Sequence, residues 1–370
     1  MNARFLIRNF YNLVFKRQLE FEFDKIPMKV EHLSSKQRTN LFKIALNRLL
    51  PISHAVGRPY MAHISPAGIC DLNCINCPTK DPRTRGRELL PFDTFRKFID
   101  EAGDTLLYVI LWSWGEPLLN PDLSRMIEYA SRNNILTVSS TNLNHLDPGK
   151  ASDLVASGLD SLIIAVDGTN QASYEKYRRG GDLQKTLANV RLLVAEKKRV
   201  GAAKPLLNLR MVVSRENEHE VDAFRQLGRE LGVDMVSFKA FSTRQAGCED
   251  PEIDQRFAPR DKKYRWYQYQ KNFRADRRMK KYWCRFPWTK PTLFADGTIL
   301  TCEFDLHYDY PLGNINRQSF DEIWFGEKAE KFRRRFQQNR DAFAFCHDCV
   351  YDYKLIDGCV FDRELLRHED

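Results

Sequence analysis

Apolar runs of about six residues recur through the middle of the chain, separated by stretches with helical spacing. The runs span 60–65, 108–113, 136–140, 161–166, 206–213 and 235–241. The intervening stretches carry helix-start signals: Asp93 before TFRKFIDEA, Pro121 before DLSRMIEYA and Glu218 before HEVDAFRQLGREL. Six strand–helix units in succession predict an α/β fold with a parallel sheet under covering helices. Right-handed crossovers would wind it into a barrel or an open sheet, two units short of the eight of a closed (β/α)8 barrel.

The pattern changes on both sides of this region. Residues 1–57 hold two basic amphipathic segments, 4–16 and 35–50, the second ended by Pro51. They read as an N-terminal extension dispensable for cluster chemistry, whose apolar Phe5, Leu6, Phe10, Tyr11 and Phe15 either cover the barrel or lie on an anionic membrane face. Residues 242–283 lose the alternation and fill with basic and aromatic side chains. Residues 284–370 hold five of the nine cysteines, as expected of a small unit organised around metal.

Composition then limits the function classes. With 43% hydrophobic and 29% charged residues the chain reads as an ordinary globular protein. No apolar run approaches the ~20 residues of a membrane span, and Arg8 and Lys16 interrupt the N-terminal apolar stretch, unlike a signal peptide. The expected location is the cytoplasm, where clustered cysteines are metal ligands or catalytic groups and not disulfides. A net charge of +9 suits acidic partners: nucleic acid, anionic lipid or an acidic electron-transfer protein.

Directly after the first run, GICDLNCINCPTK places Cys70, Cys74 and Cys77 in a C-x3-C-x2-C array. Loops at the carboxyl ends of parallel strands build active sites. Three thiolates can hold three irons of a 4Fe–4S cluster and leave the fourth open for chemistry. The competing reading is a zinc knuckle with His63 as fourth ligand, for which this spacing is unusual.

This array after the first strand of a six-unit repeat resembles the radical S-adenosylmethionine (SAM) superfamily, over about residues 58–241. The resemblance implies a partial (β/α)6 barrel. It also implies a catalytic 4Fe–4S cluster whose open iron binds SAM, and reductive cleavage of SAM to a 5′-deoxyadenosyl radical that takes hydrogen from an organic substrate. Further segments match in order. WSWGEP is similar to the family's GGEP motif and assigns Trp114, Gly115, Glu116 and Pro117 to SAM, although such residues also favour a plain strand-ending turn. TVSSTN ends the third strand where the family contacts ribose or methionine, which brings in Thr141 and Asn142. In AVDG, Ala165 lacks the hydroxyl that many relatives use. KYRRGGD offers Arg178 for the methionine carboxylate, with Arg179 as fallback. Asn76 stands where the family often has an aromatic residue.

In the C-terminal part, Cys284 and Cys302 are seventeen residues apart, and Cys346 and Cys349 form C-x2-C forty-three residues later. An Asp-Gly turn puts Cys302 at the end of a returning strand, and Ser319 with Glu322 forms a capping box. Four thiolates can close a cubane or a zinc site. The set resembles the SPASM or shorter twitch extension of radical SAM enzymes, which implies an auxiliary 4Fe–4S cluster. Glu303, next to Cys302, is then the expected proton acceptor. Cys359 reads as a spare ligand, a proton donor or a buried thiol, and Cys248 as a buried thiol.

The function expected is therefore hydrogen abstraction from a peptide or a sugar or cyclitol, oxidative in outcome, with a flavodoxin- or ferredoxin-type electron donor. The basic aromatic stretch 261–285 suggests RNA modification as an alternative. Packing of its aromatics on the barrel is preferred, because no nucleic-acid module is recognisable. A zinc-stabilised binding protein is the non-enzymatic alternative, and an N-terminal segment lying on an anionic membrane is the further partner considered.

Overall fold

The computed structural model describes residues 8–49, 52–243, 250–275, 284–347, 349–352 and 358–366. Cys248 and residues 276–283 of the basic stretch lie outside this set. The first described elements are helix α1 (8–16), the hairpin β1 (Leu19–Phe23) and β2 (Ile26–Val30), and helix α2 (Ser35–Leu49). Six units follow: β3 (Met61–Ile64), α3 (Phe92–Ala102), β4 (Tyr108–Leu111), α4 (Leu123–Arg132), β5 (Leu136–Thr141), α5 (Pro148–Ala156), β6 (Ser161–Ala165), α6 (Gln171–Tyr177), α7 (Leu183–Arg199), β7 (Leu206–Val213), α8 (Val221–Leu231) and β8 (Met235–Ala240). The C-terminal part adds β9 (Thr292–Leu293), β10 (Thr298–Leu300), β11 (Gly313–Asn314) and β12 (Val360–Leu365).

Each predicted apolar run contains one of the strands β3–β8. The six pair in parallel and in sequence order, with Met61 opposite Tyr108, Tyr108 opposite Leu136, Val138 opposite Ser161, Ser161 opposite Leu206 and Asn208 opposite Met235. All residues of β3, β4 and β6 are buried. That is why their sequences show runs and not alternation. The C-terminal part extends both edges, giving the order β11-β10-β9-β3-β4-β5-β6-β7-β8-β12. β12 runs antiparallel to β8, so the otherwise open edges of the partial barrel are covered.

The N-terminal segment departs from expectation. The hairpin β1–β2 is not a detached extension. Ile26, Met28 and Val30 of β2 alternate inward and share one core with Met61, Tyr108, Ile110, Val138, Ile163 and Met235 from the barrel strands. Its turn residues Asp24 and Lys25 have φ of 51° and 61°, left-handed values that are costly for side chains with a Cβ. Contacts remote in sequence hold the turn. Arg210 of β7 forms an ion pair with Asp24, Lys25 Nζ donates to Phe361 O at 2.7 Å, and Arg363 forms a salt bridge with Glu22. No local pattern announces pairings separated by 186 to 341 residues.

The C-terminal expectations hold more closely. Gly297, at φ 84°, turns β9 into β10 and delivers Cys302 just past the returning strand. Ser319 and Glu322 form the capping box of the helix Phe320–Trp324. In the basic aromatic stretch Trp266 and Tyr267 are fully buried, and Trp266 Nε1 donates to Val350 O at 2.8 Å. They pack beneath the C-terminal part and are not open to stack on bases.

Burial alone would raise the Asp24 pKa, but the Arg210 guanidinium holds it below the usual carboxylate range. Asp24→Ala leaves that guanidinium buried without its anion. Urea unfolding of the anaerobically purified variant should show a loss of about 3–5 kcal/mol, with part recovered in Asp24→Ala/Arg210→Met. Because the folded pKa is depressed, the contribution is present at neutral pH and fades only as pH falls through that lowered value. A single variant within ~1 kcal/mol of the parent would show that the ion pair does not anchor the hairpin.

Candidate active site

The loop after β3 lies across the carboxyl ends of the strands and is pinned on two sides. Asn73 and Ile75 N–H groups donate to Arg179 O and Tyr177 O at 2.9 and 3.1 Å, and Glu116 N–H donates to Ile69 O at 2.8 Å. The approach leaves no room for a side chain at Gly115, where a Cβ would stand 2.0 Å from Ala67 O. Glycine is thus required by close approach, not by turn propensity alone. Asn76 has φ of 58°, a left-handed conformation that asparagine tolerates better than an aromatic residue does.

The three cysteines of this loop sit among donors. Leu72 N–H lies 3.4 Å from Cys70 Sγ, Arg178 Nη1 3.8 Å from Cys74 Sγ, and Thr79 Oγ1 3.1 Å from Cys77 Sγ. Burial pushes the Cys70 thiol up to about 12 and raises Cys74 as well. One buried and two half-buried thiols flanked by N–H and O–H groups suit a metal cluster that takes them as thiolates and releases their protons.

Glu116 ties the neighbouring strand ends. Its carboxylate accepts from Leu118 N (2.9 Å), Thr141 Oγ1 (2.6 Å) and Asn142 N (2.8 Å). Burial raises its pKa to about 7 against these bonds. Asn142 Nδ2 reaches on to Asp71 Oδ1 at 2.8 Å. Trp114, Gly115, Glu116, Pro117, Thr141 and Asn142 are therefore brought together beside the cysteine loop. Arg178 also joins them, but its Nε is held by the fully buried Asp167. Arg179 is exposed. Asp167, inside the AVDG segment, is a positioning residue that spacing alone did not single out.

The second cysteine set converges on a different place. Cys284, Cys302, Cys346 and Cys349 line one enclosed pocket, walled by Phe286, Phe304, Phe332, Phe336, Phe345 and Tyr351. Among the described residues, no three His, Cys, Asp or Glu side chains converge on a single-ion site. Four thiols, one buried and three half-buried, around an apolar pocket fit a polynuclear iron–sulfur cluster. Cys359 does not line this pocket. Its thiol donates to Asp24 Oδ1 at 2.8 Å.

Between the two sets lies a cavity of about 500 Å³. Trp114 forms part of its wall, and its carbonyl oxygen is 3.8 Å from Cys77 Sγ. Phe286, Phe304 and Tyr351 wall both this cavity and the four-cysteine pocket. Asp24, Lys239, Cys359, His63, Lys290 and Glu303 supply its polar groups. The hairpin thus contributes to the cavity through Asp24, which corrects the expectation of a separable extension.

Glu303 stands on the cavity wall as expected, but its environment weakens it as a base. Burial would raise its pKa, yet the Lys290 ammonium, paired with it, outweighs burial and holds it at about 2. The proton-accepting role expected of it has its physical support elsewhere, at His63. Burial lowers the His63 pKa to about 4, so the ring is neutral near pH 7. Nε2 is bonded to Trp112 O and must carry the hydrogen, because a carbonyl only accepts. Nδ1 is left as a buried acceptor without a hydrogen-bond partner, 3.7 Å from Glu303. Neither His63 nor Lys290 has a local signal that marks this role.

Comparison with known proteins agrees with this layout. A sequence model of the radical SAM superfamily matches residues 64–228, and one of an iron–sulfur cluster-binding domain, SPASM, matches residues 284–350. The AdoMet-dependent heme synthase of Methanosarcina barkeri is 27% identical over 319 residues, covering 78% of this chain and 88% of that protein. The PqqA peptide cyclase of Gluconobacter oxydans is 28% identical over 173 residues, 45% of each chain. Streptococcus suis SuiB bound to its precursor peptide SuiA shares the fold, with a TM-score of 0.58 at 15% identity over 92% of this chain and 84% of that one.

Gly115→Ala should push the cysteine loop off the strand ends although no ligand is changed. Iron analysis after anaerobic reconstitution should show a loss approaching four irons per chain, with the C-terminal cluster kept. Full iron content in Gly115→Ala would mean that the close approach does not position the triad.

Proposed function

We propose that this chain, whose residues 64–228 match the radical SAM superfamily and whose residues 284–350 match an iron–sulfur cluster-binding domain, oxidises an organic substrate held in the cavity between Trp114 and Glu303. Cys70, Cys74 and Cys77 would hold the catalytic 4Fe–4S cluster, and Cys284, Cys302, Cys346 and Cys349 the auxiliary one. When bound, the clusters and SAM supply reductive cleavage, hydrogen abstraction and an acceptor for the second electron. The observation that carries the reading is the cavity itself, bordered by Trp114 on the triad side and sharing three aromatic walls with the four-cysteine pocket.

The chain's own residues then do three things. Glu116, Thr141 and Asn142 shape the mouth beside the triad, and Arg178, already steadied by Asp167, offers its remaining N–H groups to a carboxylate. The aromatic walls keep water from the reacting carbon. His63 Nδ1 takes the proton that an oxidation releases, and the ion-paired Glu303 stabilises the imidazolium that results. Lys239, which has no hydrogen-bond or ion-pair partner among the described residues, is suited to an anionic substrate group.

The substrate class is a peptide or a sugar or cyclitol, in keeping with the peptide named for the Gluconobacter relative and for SuiB. A tetrapyrrole is the second reading, favoured by the long match to a heme synthase that spans both domains. An acidic flavodoxin- or ferredoxin-type donor suits the +9 charge. Among the described residues no helix is long and apolar enough to cross a membrane.

Replacing Cys70, Cys74 and Cys77 together by Ala should leave about four of about eight irons and abolish 5′-deoxyadenosine formation from SAM under dithionite. Retained cleavage would refute the catalytic assignment. His63→Gln should keep both clusters and SAM cleavage but lower product formed per deoxyadenosine by about tenfold to a hundredfold. An unchanged ratio would remove His63 from proton transfer.

A further inference from the structure

Among the described residues nine large apolar side chains are exposed, and five of them fall on α1 and α2. They are Phe10, Tyr11 and Phe15 on α1 and Phe42 and Leu46 on α2. Phe10 is 62% and Phe15 71% exposed, far more than a packed ring allows. The opposite side of α1 is fastened to the protein. Asn12 is buried, Leu13 packs on the core inside the barrel, and Asn9 Oδ1 accepts from Glu20 N at 3.0 Å. Arg38 of α2 donates to Val14 O at 3.1 Å, and Phe42 and Leu46 follow one and two turns along the same face of α2.

The charge along α1 itself is basic. Residues 8–19 contain Arg8, Lys16 and Arg17 and no acidic residue. Lys16 extends over the Tyr11 ring, 5.8 Å from its centroid. Exposed aromatic rings flanked by Lys16 and Arg17, with Arg8 paired to Glu20, match a bilayer interface, where rings settle at headgroup depth and cations meet lipid phosphates. A protein partner would need a complementary shape, and this patch lies on a short helix and one face of its neighbour.

We infer that α1 and the adjoining face of α2 dock this protein on an anionic lipid surface. The placement leaves the chemistry accessible. Gln37 of α2 donates to Leu106 O, just before β4 begins, so the patch lies at the amino ends of the strands, away from the cysteine loop at their carboxyl ends. Docking would face the triad away from the membrane, open to an electron donor. The same segment runs on into the hairpin that reaches the substrate cavity, so the surface and the cavity are parts of one N-terminal unit.

The test uses the intact, anaerobically reconstituted protein in cosedimentation with vesicles of phosphatidylcholine alone or with about 30% phosphatidylglycerol. Binding is expected to the anionic vesicles only and to weaken in about 0.5 M salt. Phe10→Ser/Phe15→Ser should lower the partition coefficient at least tenfold, and Lys16→Gln/Arg17→Gln about fivefold per charge. Iron content equal to the parent's shows that these exposed substitutions leave the fold intact. No binding at about 1 mM anionic lipid, or equal binding by parent and variants, overturns the proposal. So does a concentration-dependent dimer in sedimentation velocity that Phe10→Ser/Phe15→Ser abolishes, which would give the patch to a second copy of the chain.

Discussion

One buried carboxylate holds the mouth of the barrel together. Glu116 receives three hydrogen bonds, two of them from the end of β5, while its own N–H fastens the cysteine loop through Ile69. The loop can come that near only because Gly115 has no side chain. Three adjacent loops are thereby fixed against each other before any cofactor arrives. Fixed loops matter because thiolates on a mobile loop would have to be ordered at the moment of cluster binding, at a cost of about 1–2 kcal/mol per residue. The GEP segment is thus a structural joint as well as the stretch that its resemblance assigns to SAM.

The inside of the molecule is polar where function needs it and paired almost everywhere else. Asp24 with Arg210, Arg178 with Asp167 and Lys290 with Glu303 are all buried ion pairs. Such pairs add little net stability but fix geometry, since breaking one strands a charge. Among the described residues, the cavity groups without a hydrogen-bond partner include His63 Nδ1 and the Lys239 ammonium. Both face the space between the two cysteine sets. Unpaired polar atoms in an otherwise satisfied interior are where a substrate can earn its binding energy.

The six central strands were legible because burial on both faces writes itself into contiguous apolar runs. The cysteine sets were legible because ligand chemistry allows few substitutes for thiolate. The hairpin was not, since β1 reads LEFEF, with glutamates at alternate positions, and its inward partner surface comes from strands far along the chain. Glu303 illustrates a different limit. Its position beside Cys302 could be read from sequence, but its basicity depends on Lys290, thirteen residues earlier and brought alongside only by the β9–β10 turn. His63 was weighed as a zinc ligand because spacing cannot show that its ring turns toward Trp112 and into the cavity.

The central claim is that two distinct iron–sulfur sites face one substrate cavity, one open to SAM and one closed by four cysteines. Electron paramagnetic resonance of the dithionite-reduced protein, with and without SAM, tests it most directly. The account predicts two reduced 4Fe–4S signals, of which one shifts on adding SAM because its fourth iron is free, while the other stays unchanged because all four of its irons are held by thiolates. A single signal with zinc in the C-terminal part, or two signals that both ignore SAM, would contradict it.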